Sequence, residues 1–141
     1  MKTLFLDTNV VMDFLTDRKP FSKEAATLLD LGRQRKISIY ISAISFNNIY
    51  YVSKSALGHE KTIHFLKELQ QWVQVIALTD EILQSALNKG FKDFEDAIQY
   101  CSANSIQSLD MLVTRNGRDF KKGNLIICTP KEALSLIGTS D

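Results

Sequence analysis

A short apolar run followed by a helical pattern recurs along this chain, and this alternation constrains its fold more than any other feature. The run 3–6 precedes a helical pattern at 9–15, and the run 37–41 precedes one at 43–55. The remaining pattern predicts helices at 60–72, 80–87, 94–104 and from Pro130, a helix with Ser22 as its cap, and strands at 73–77, 111–114 and 125–127. Strands that alternate with helices predict a three-layer α/β fold, with a central, mainly parallel sheet of about four to five strands and helices on both faces.

Length and charge limit the class of protein. The 141 residues suit one domain over 1–141, and 17 Lys and Arg against 16 Asp and Glu exclude a polybasic nucleic-acid binder. The first apolar run ends at Asp7, which is too early for a signal peptide or a membrane span, so we expect a cytoplasmic protein without membrane contact. Cys101 and Cys128 lack the spacing of a metal site and are predicted to be buried, reduced thiols.

An acidic residue stands where the first predicted strand ends. In open α/β sheets, ligands bind beyond the carboxyl ends of the strands. Asp7 directly follows the strand 3–6, so its carboxylate should project into that crevice. The alternative is that Asp7 or Thr8 only caps the helix that follows.

Three more acidic residues lie within four positions at the start of the helix predicted over 94–104. Asp93 and Asp96 share a helical face, whereas Glu95 points about 100° away around the axis. Asp93 can be explained as the helix cap, where a negative charge is favourable. Apolar residues follow Asp96, and a carboxylate in that setting favours a bound cation.

Oxygen donors and basic side chains occur together after the strand 111–114. Thr114, Asn116 and Asp119 offer a hydroxyl, an amide and a carboxylate. Mg²⁺ prefers oxygen ligands and keeps several waters. The neighbouring cations would hold a phosphate backbone, and they are Arg115, Arg118, Lys121 and Lys122. The alternative is an ordinary solvated loop, which is sufficient to explain the two lysines.

These three motifs together resemble the PIN (PilT N-terminus) domain family, which is Rossmann-like, and especially its VapC-like toxins. The resemblance covers nearly the whole chain and rests on FLDTNV at 5–10, FEDA at 94–97 and VTRN at 113–116, followed by Asp119. It implies an endoribonuclease that depends on Mg²⁺ or Mn²⁺ and is the toxin of a type II toxin–antitoxin system. The implied metal ligands and catalytic residues are Asp7, Asp96 and Asp119, with Asn9, Thr114 and Asn116 orienting ligands or substrate and Asp13 and Asp93 as auxiliary candidates.

One position departs from the family pattern. The family places a glutamate in the helix after the second strand, in a pattern like S-x-x-T-x-x-E, and this chain has Asn48 there. An amide can coordinate through its oxygen or hold a metal-bound water, but it brings no negative charge. Metal affinity should therefore fall, above all for a second ion. Weak activity, a one-metal site and no activity are the three outcomes left open.

The resulting hypothesis is metal-assisted hydrolysis of RNA phosphodiester bonds. Asp7 and Asp96 would anchor the ion, and Asp119 would bind it directly or through water. Arg115 or Arg118 would contact a phosphate. The partners implied by the resemblance are an RNA substrate, a cognate antitoxin that occupies the crevice, and a second copy of the chain in a homodimer.

Two other classes of function stay open. A non-catalytic PIN-fold module that binds RNA or a protein is favoured by Asn48. A phosphatase of the haloacid-dehalogenase kind also begins with an apolar strand that ends in Asp. That family requires a second acid two residues later, where this chain has Asn9.

Overall fold

The computed structural model describes residues 1–120 and 124–138, except for the side chain of Asp119. Within these residues the five strands are β1 (Thr3–Leu6), β2 (Ser38–Ser42), β3 (Gln74–Ile76), β4 (Met111–Val113) and β5 (Ile127–Cys128). The helices of the same residues are α1 (Thr8–Leu15), α2 (Ser22–Arg33), α3 (Ala43–Leu57), α4 (His59–Trp72), α5 (Asp80–Leu87), α6 (Phe94–Asn104), α7 (Pro130–Gly138) and a 3₁₀ turn at Gly117–Phe120.

All strand pairs in the described sheet are parallel, in the order β3-β2-β1-β4-β5. The central strand β1 lies between β2 and β4, with Leu4 opposite Ile39 on one side and Met111 on the other. The predicted three-layer α/β fold with a parallel sheet is confirmed. Chain order runs one way from β1 to β3 and the other way from β4 to β5. The strand order therefore reverses between β1 and β4, which is where such folds bind ligands.

The alternation of side chains along the strands builds the two outer layers. Successive strand residues point to opposite faces. Leu4 and Leu6 pack in one core with residues of α1, α2, α3, α4 and α7. Phe5 packs on the other face, with Leu112 and with Tyr100 of α6. Each fully buried leucine contributes roughly 1.5–3 kcal/mol, so this alternation fixes which face of β1 each helix covers.

The start of α2 differs from the sequence prediction. Ser22 is the first residue of the helix and Phe21 is its N-cap, without a side-chain cap hydrogen bond. The backbone N–H of Ser22 already donates to the Arg18 carbonyl at 2.7 Å, in the turn before the helix. The Ser22 hydroxyl is therefore available to donate to Asp17 Oδ1 at 2.8 Å. The prediction that Ser22 caps α2 is wrong. Phe21 occupies the cap position, and the Arg18 carbonyl of the preceding turn accepts from the Ser22 backbone N–H.

The two cysteines and the lengths of the helices bear on other predictions from the sequence. Cys101 and Cys128 are buried free thiols, as predicted, and burial raises the pKa of both. No helix in the described part of the chain combines the length and the apolar character needed to cross a membrane. Neither cysteine lines the cavity at the carboxyl ends of β1 and β4.

Candidate active site

A cavity of about 440 Å³ opens at the carboxyl ends of β1 and β4. Asp7 follows β1, and Thr114 follows β4 on the neighbouring strand. The cavity is lined by acidic and amide side chains that the sequence places far apart, including Asp7, Asn9, Glu95, Asp96 and Asn116. The sheet and helix α6 thus bring the three sequence motifs to one crevice.

Both oxygens of the Asp7 carboxylate accept hydrogen bonds. Oδ1 accepts from the backbone N–H of Thr8 at 2.7 Å, so Asp7 is the N-cap of α1. Oδ2 accepts from the Thr114 hydroxyl at 2.8 Å. The side chain is only 5% exposed yet lines the cavity. Helix capping and a place in the crevice are therefore not alternatives, because the same carboxylate does both.

Ionisation of the Asp7 carboxyl group costs free energy because the side chain is buried. Burial raises its pKa to about 6, the hydrogen bonds from Thr114 and Thr8 lower it, and the negative charge of Glu95 raises it further. No described Lys, Arg or His lies within ion-pair distance of Asp7 or Glu95. Arg18 and Arg115 line the same cavity, and the positive charge of Arg115 lowers the pKa of Asp7, but neither arginine forms an ion pair with Asp7 or Glu95.

The Thr114 hydroxyl organises the polar groups around Asp7. It accepts from the backbone N–H of Asn116 at 3.1 Å, and Asn9 Nδ2 lies 3.5 Å away. Asn9 Oδ1 is buried and has no hydrogen-bond partner among the described residues. A buried amide oxygen without a donor costs free energy, and a bound cation would satisfy it.

The first turn of α6 supplies the other carboxylates. Asp93 caps the helix, as predicted, by accepting from the Asp96 backbone N–H at 3.0 Å, and its side chain is exposed. Asp96 is half-buried and lines the crevice. Glu95, which the sequence pattern placed on another face, lines it too, and its Oε2 accepts from Asn48 Nδ2 at 2.6 Å.

A buried polar network ties three helices together beside the crevice. The Thr8 and Ser45 hydroxyls lie 2.6 Å apart, and Gln99 Nε2 donates to both, at 3.2 and 3.1 Å. These residues belong to α1, α3 and α6, and Gln99 is fully buried. Sequence reasoning missed Ser45 and Gln99, and it considered Thr8 only as a helix cap. The available signal was helical spacing, since Ser45 lies three residues before Asn48 and Gln99 lies four after Glu95.

Arg115 makes a structural contact within the chain. Its Nε donates to Asp13 Oδ2 at 2.5 Å, and its guanidinium lies 4.6 Å from the centre of the Phe21 ring. Asp13 is only 2% exposed. The Asp13 carboxylate and Arg115 Nε are thus engaged with each other, and they join α1 to the segment after β4.

A second cavity, of about 510 Å³, shares Glu95, Asp96 and Asn116 with the first. Lys92 and Arg118 also line it, so basic side chains stand beside the carboxylates. The backbone of Asp119 lies in the 3₁₀ turn, but its side chain is outside the described part of the chain. Its role as a metal ligand stays a prediction. Lys121 and Lys122 are also outside the described residues.

The described donors suit one kind of metal. Among the described side chains, no three His, Cys, Asp or Glu residues come close enough together to form a preformed metal centre. Mg²⁺ needs less, because it binds through one or two carboxylates and keeps several waters. Asp7, Asp96 and the unpartnered Asn9 Oδ1 provide oxygen donors in one cavity. This set fits a hard divalent cation better than zinc, which prefers nitrogen and sulfur.

Comparisons with known proteins agree with this geometry. A family model described as "PIN domain" matches residues 3–118. Ribonuclease VapC1 of Aquifex aeolicus (strain VF5) is 24% identical over 134 residues, which cover 92% of this chain and 91% of that protein. A chain of a toxin–antitoxin complex from Klebsiella pneumoniae superposes with a TM-score of 0.66 at 24% identity, covering 90% of this chain and 97% of that one. A chain of DNA-bound VapBC from Salmonella typhimurium gives 0.67 at 20% identity, covering 91% and 97%. These structures share the fold of this chain.

Proposed function

The chain belongs to the PIN-domain family, and on this premise we propose that it is a Mg²⁺- or Mn²⁺-dependent endoribonuclease that acts as the toxin of a type II toxin–antitoxin system. The observation that carries the proposal is the buried carboxylate of Asp7 at the point where strand order reverses. It shares its cavity with Asp96, and no described Lys, Arg or His forms an ion pair with it. Family membership leaves no support for the haloacid-dehalogenase alternative.

Three described side chains would hold the cation: Asp7, Asp96 and Asn9, the last through Oδ1. Asp119 is proposed as a further ligand from the sequence resemblance. A bound divalent cation would neutralise charge on a phosphate oxygen and lower the pKa of a water. The Thr114 hydroxyl, which donates to Asp7 Oδ2, fixes the orientation of the carboxylate. The chain thus holds its oxygen donors in place before a substrate arrives.

The substrate we propose is single-stranded RNA or an RNA loop, whose backbone can enter an open crevice. Lys92 and Arg118 would contact phosphates that flank the cleaved bond, since they line the adjoining cavity. The relative from Aquifex aeolicus is named a ribonuclease, which supports this substrate class. Because Arg115 Nε is engaged by Asp13, Arg118 is the better candidate for a phosphate contact.

The partners we propose are a cognate antitoxin, which would occupy the crevice in the cytoplasm, and a second copy of the chain in a homodimer. The structural neighbour from Klebsiella pneumoniae is described as a toxin–antitoxin complex, which supports the first of these. Val52, which is 61% exposed, lines the crevice. It offers an apolar contact to an antitoxin segment at that position.

Cleavage of a labelled single-stranded RNA pool with Mg²⁺ or Mn²⁺ tests the proposal. We expect cutting by the wild type, loss of cutting in EDTA, and a decrease of at least about 100-fold in Asp7→Asn and Asp96→Asn. Asp80→Asn is the matched control, because it removes an equal charge from the first turn of α5.

Each other result has a defined meaning. Cleavage that survives both Asp7→Asn and Asp96→Asn places the active site elsewhere. RNA binding without cleavage, with either cation, favours the non-catalytic module instead.

A further inference from the structure

Position 48 is occupied by an amide where the family pattern has a carboxylate. Asn48 lies on α3, is half-buried, and donates from Nδ2 to Glu95 Oε2 at 2.6 Å. Glu95 belongs to α6 and is 47 residues away in sequence. The amide that replaces the family's glutamate on α3 therefore contacts a carboxylate from another helix.

The two residues are chemically complementary. A glutamate at 48 would bring two carboxylates face to face, and such like charges disfavour each other's ionised form. An amide in that position donates a hydrogen bond to Glu95 instead. With Asn48 on α3 and Glu95 on α6, this corner of the crevice still carries one negative charge, but α6 supplies it instead of α3.

Glu95 has no other described function that would explain its place. Helix capping at α6 is already performed by Asp93, which accepts from the Asp96 N–H. No described basic side chain forms an ion pair with Glu95. It lines the same cavity as Asp7, whose side chain is buried, and Asn9, whose Oδ1 is without a described partner. A bound cation would offset the negative charges of Asp7 and Glu95 and would give the Asn9 amide oxygen a partner.

We propose that Glu95 is a ligand of the divalent cation through the carboxylate oxygen that Asn48 leaves free, Oε1, and that Asn48 is its positioning residue. This inference rests on the metal-dependent function proposed above. The sequence predicted that Asn48 removes a negative charge from the site, whereas in this proposal Glu95 supplies that charge. Besides Asp13, which pairs with Arg115, the crevice is lined by three described carboxylates, from Asp7, Glu95 and Asp96, which would have to draw together around the cation.

Calorimetric titration of the metal-free full chain with Mn²⁺ tests the proposal without any activity measurement. We expect Glu95→Gln and Asn48→Ala each to weaken Mn²⁺ binding by about 10- to 100-fold. Glu81→Gln is the matched control, since Glu81 also lies in the first turn of a helix but outside the crevice, and it should bind like the wild type. Circular dichroism and thermal unfolding establish that each variant is folded.

An exchange variant separates positioning from a merely structural role. Asn48→Glu combined with Glu95→Gln returns the carboxylate to α3 and keeps an amide on α6, so it should regain Mn²⁺ affinity relative to Glu95→Gln alone. A folded exchange variant that binds no better than Glu95→Gln contradicts the proposal. Unchanged Mn²⁺ affinity in Glu95→Gln also overturns it.

Failure of this inference differs from failure of the proposed function. If the wild type and Glu81→Gln bind Mn²⁺, Asp7→Asn does not, and Glu95→Gln binds normally, only the role of Glu95 is wrong. If the wild type itself binds no Mn²⁺ or Mg²⁺, the metal-dependent function is wrong as well.

Discussion

Asp7 connects local structure to function at the scale of a single residue. Its carboxylate caps α1 through Oδ1 and accepts from Thr114 through Oδ2. These bonds hold the side chain in one orientation and favour its ionised form, whereas burial and Glu95 oppose ionisation. The balance leaves a carboxylate that is charged at neutral pH but costly to keep charged without a cation.

The pKa of Asp7 predicts a pH dependence of stability in metal-free protein. Burial is the largest cause of its rise from 3.8 to about 6. A carboxyl group with a raised pKa stabilises the folded state while protonated, so this contribution is full below about pH 4 and is lost as the pH rises through about 6. Relative to Asp7→Asn, the wild type should therefore lose about 3 kcal/mol of unfolding free energy between about pH 4 and pH 7.

Urea unfolding of both proteins in EDTA, at several pH values, measures this difference. A cation competes with the proton for Asp7, so Mn²⁺ should stabilise the wild type more at about pH 7.5 than at about pH 5. If the difference in unfolding free energy between the wild type and Asp7→Asn does not change with pH across this range, the pKa of Asp7 is not raised.

Helices α1, α3 and α6 are positioned by polar contacts as well as by the core. The Thr8, Ser45 and Gln99 network links all three, and Asn48 links α3 to α6 again through Glu95. The ion pair between buried Asp13 and half-buried Arg115 holds α1 to the segment after β4. The crevice is therefore assembled by contacts between elements that are distant in sequence.

The Asp13–Arg115 pair gives a prediction at this scale. Arg115→Met should destabilise the protein by about 3 kcal/mol, because it leaves the carboxylate of Asp13 buried and unpaired. Adding Asp13→Asn should recover most of that loss. Chemical denaturation at neutral pH measures both effects.

The exposed pair of Arg33 and Asp30 on α2 provides the control. Arg33→Met should cost less than about 1 kcal/mol, since exposed ion pairs contribute little. If Arg33→Met and Arg115→Met lose similar amounts of unfolding free energy, the burial of Asp13 does not make its ion pair more stabilising.

For the whole molecule, sequence periodicity predicted the fold well because each apolar run and helical pattern is local. Strand and helix order, and the placement of Asp7 at the carboxyl end of β1, followed from those patterns. The place of Glu95 in the crevice did not follow, since its angle on α6 pointed away from Asp96. Its hydrogen bond to Asn48 depends on how two distant helices pack. The Arg115–Asp13 contact was missed for the same reason.

The near-neutral charge of the chain predicts that RNA binding depends on few basic side chains. Lys92→Ala combined with Arg118→Ala should raise KM for RNA, leave Mn²⁺ affinity unchanged, and reduce the salt dependence of binding by up to about 2 in the log–log slope. Lys61→Ala with Lys67→Ala on α4 removes the same charge away from the crevice. An equal rise in KM in both double variants would favour a nonspecific charge effect.

Anomalous diffraction from crystals soaked in Mn²⁺, at a concentration that supports RNA cleavage, shows directly whether this crevice binds the cation. We expect an anomalous peak in the crevice within coordination distance of Asp7, with Glu95 and Asp96 beside it. A cleavage-competent crystal form with no peak in that crevice, or with its peak elsewhere, would contradict the claim.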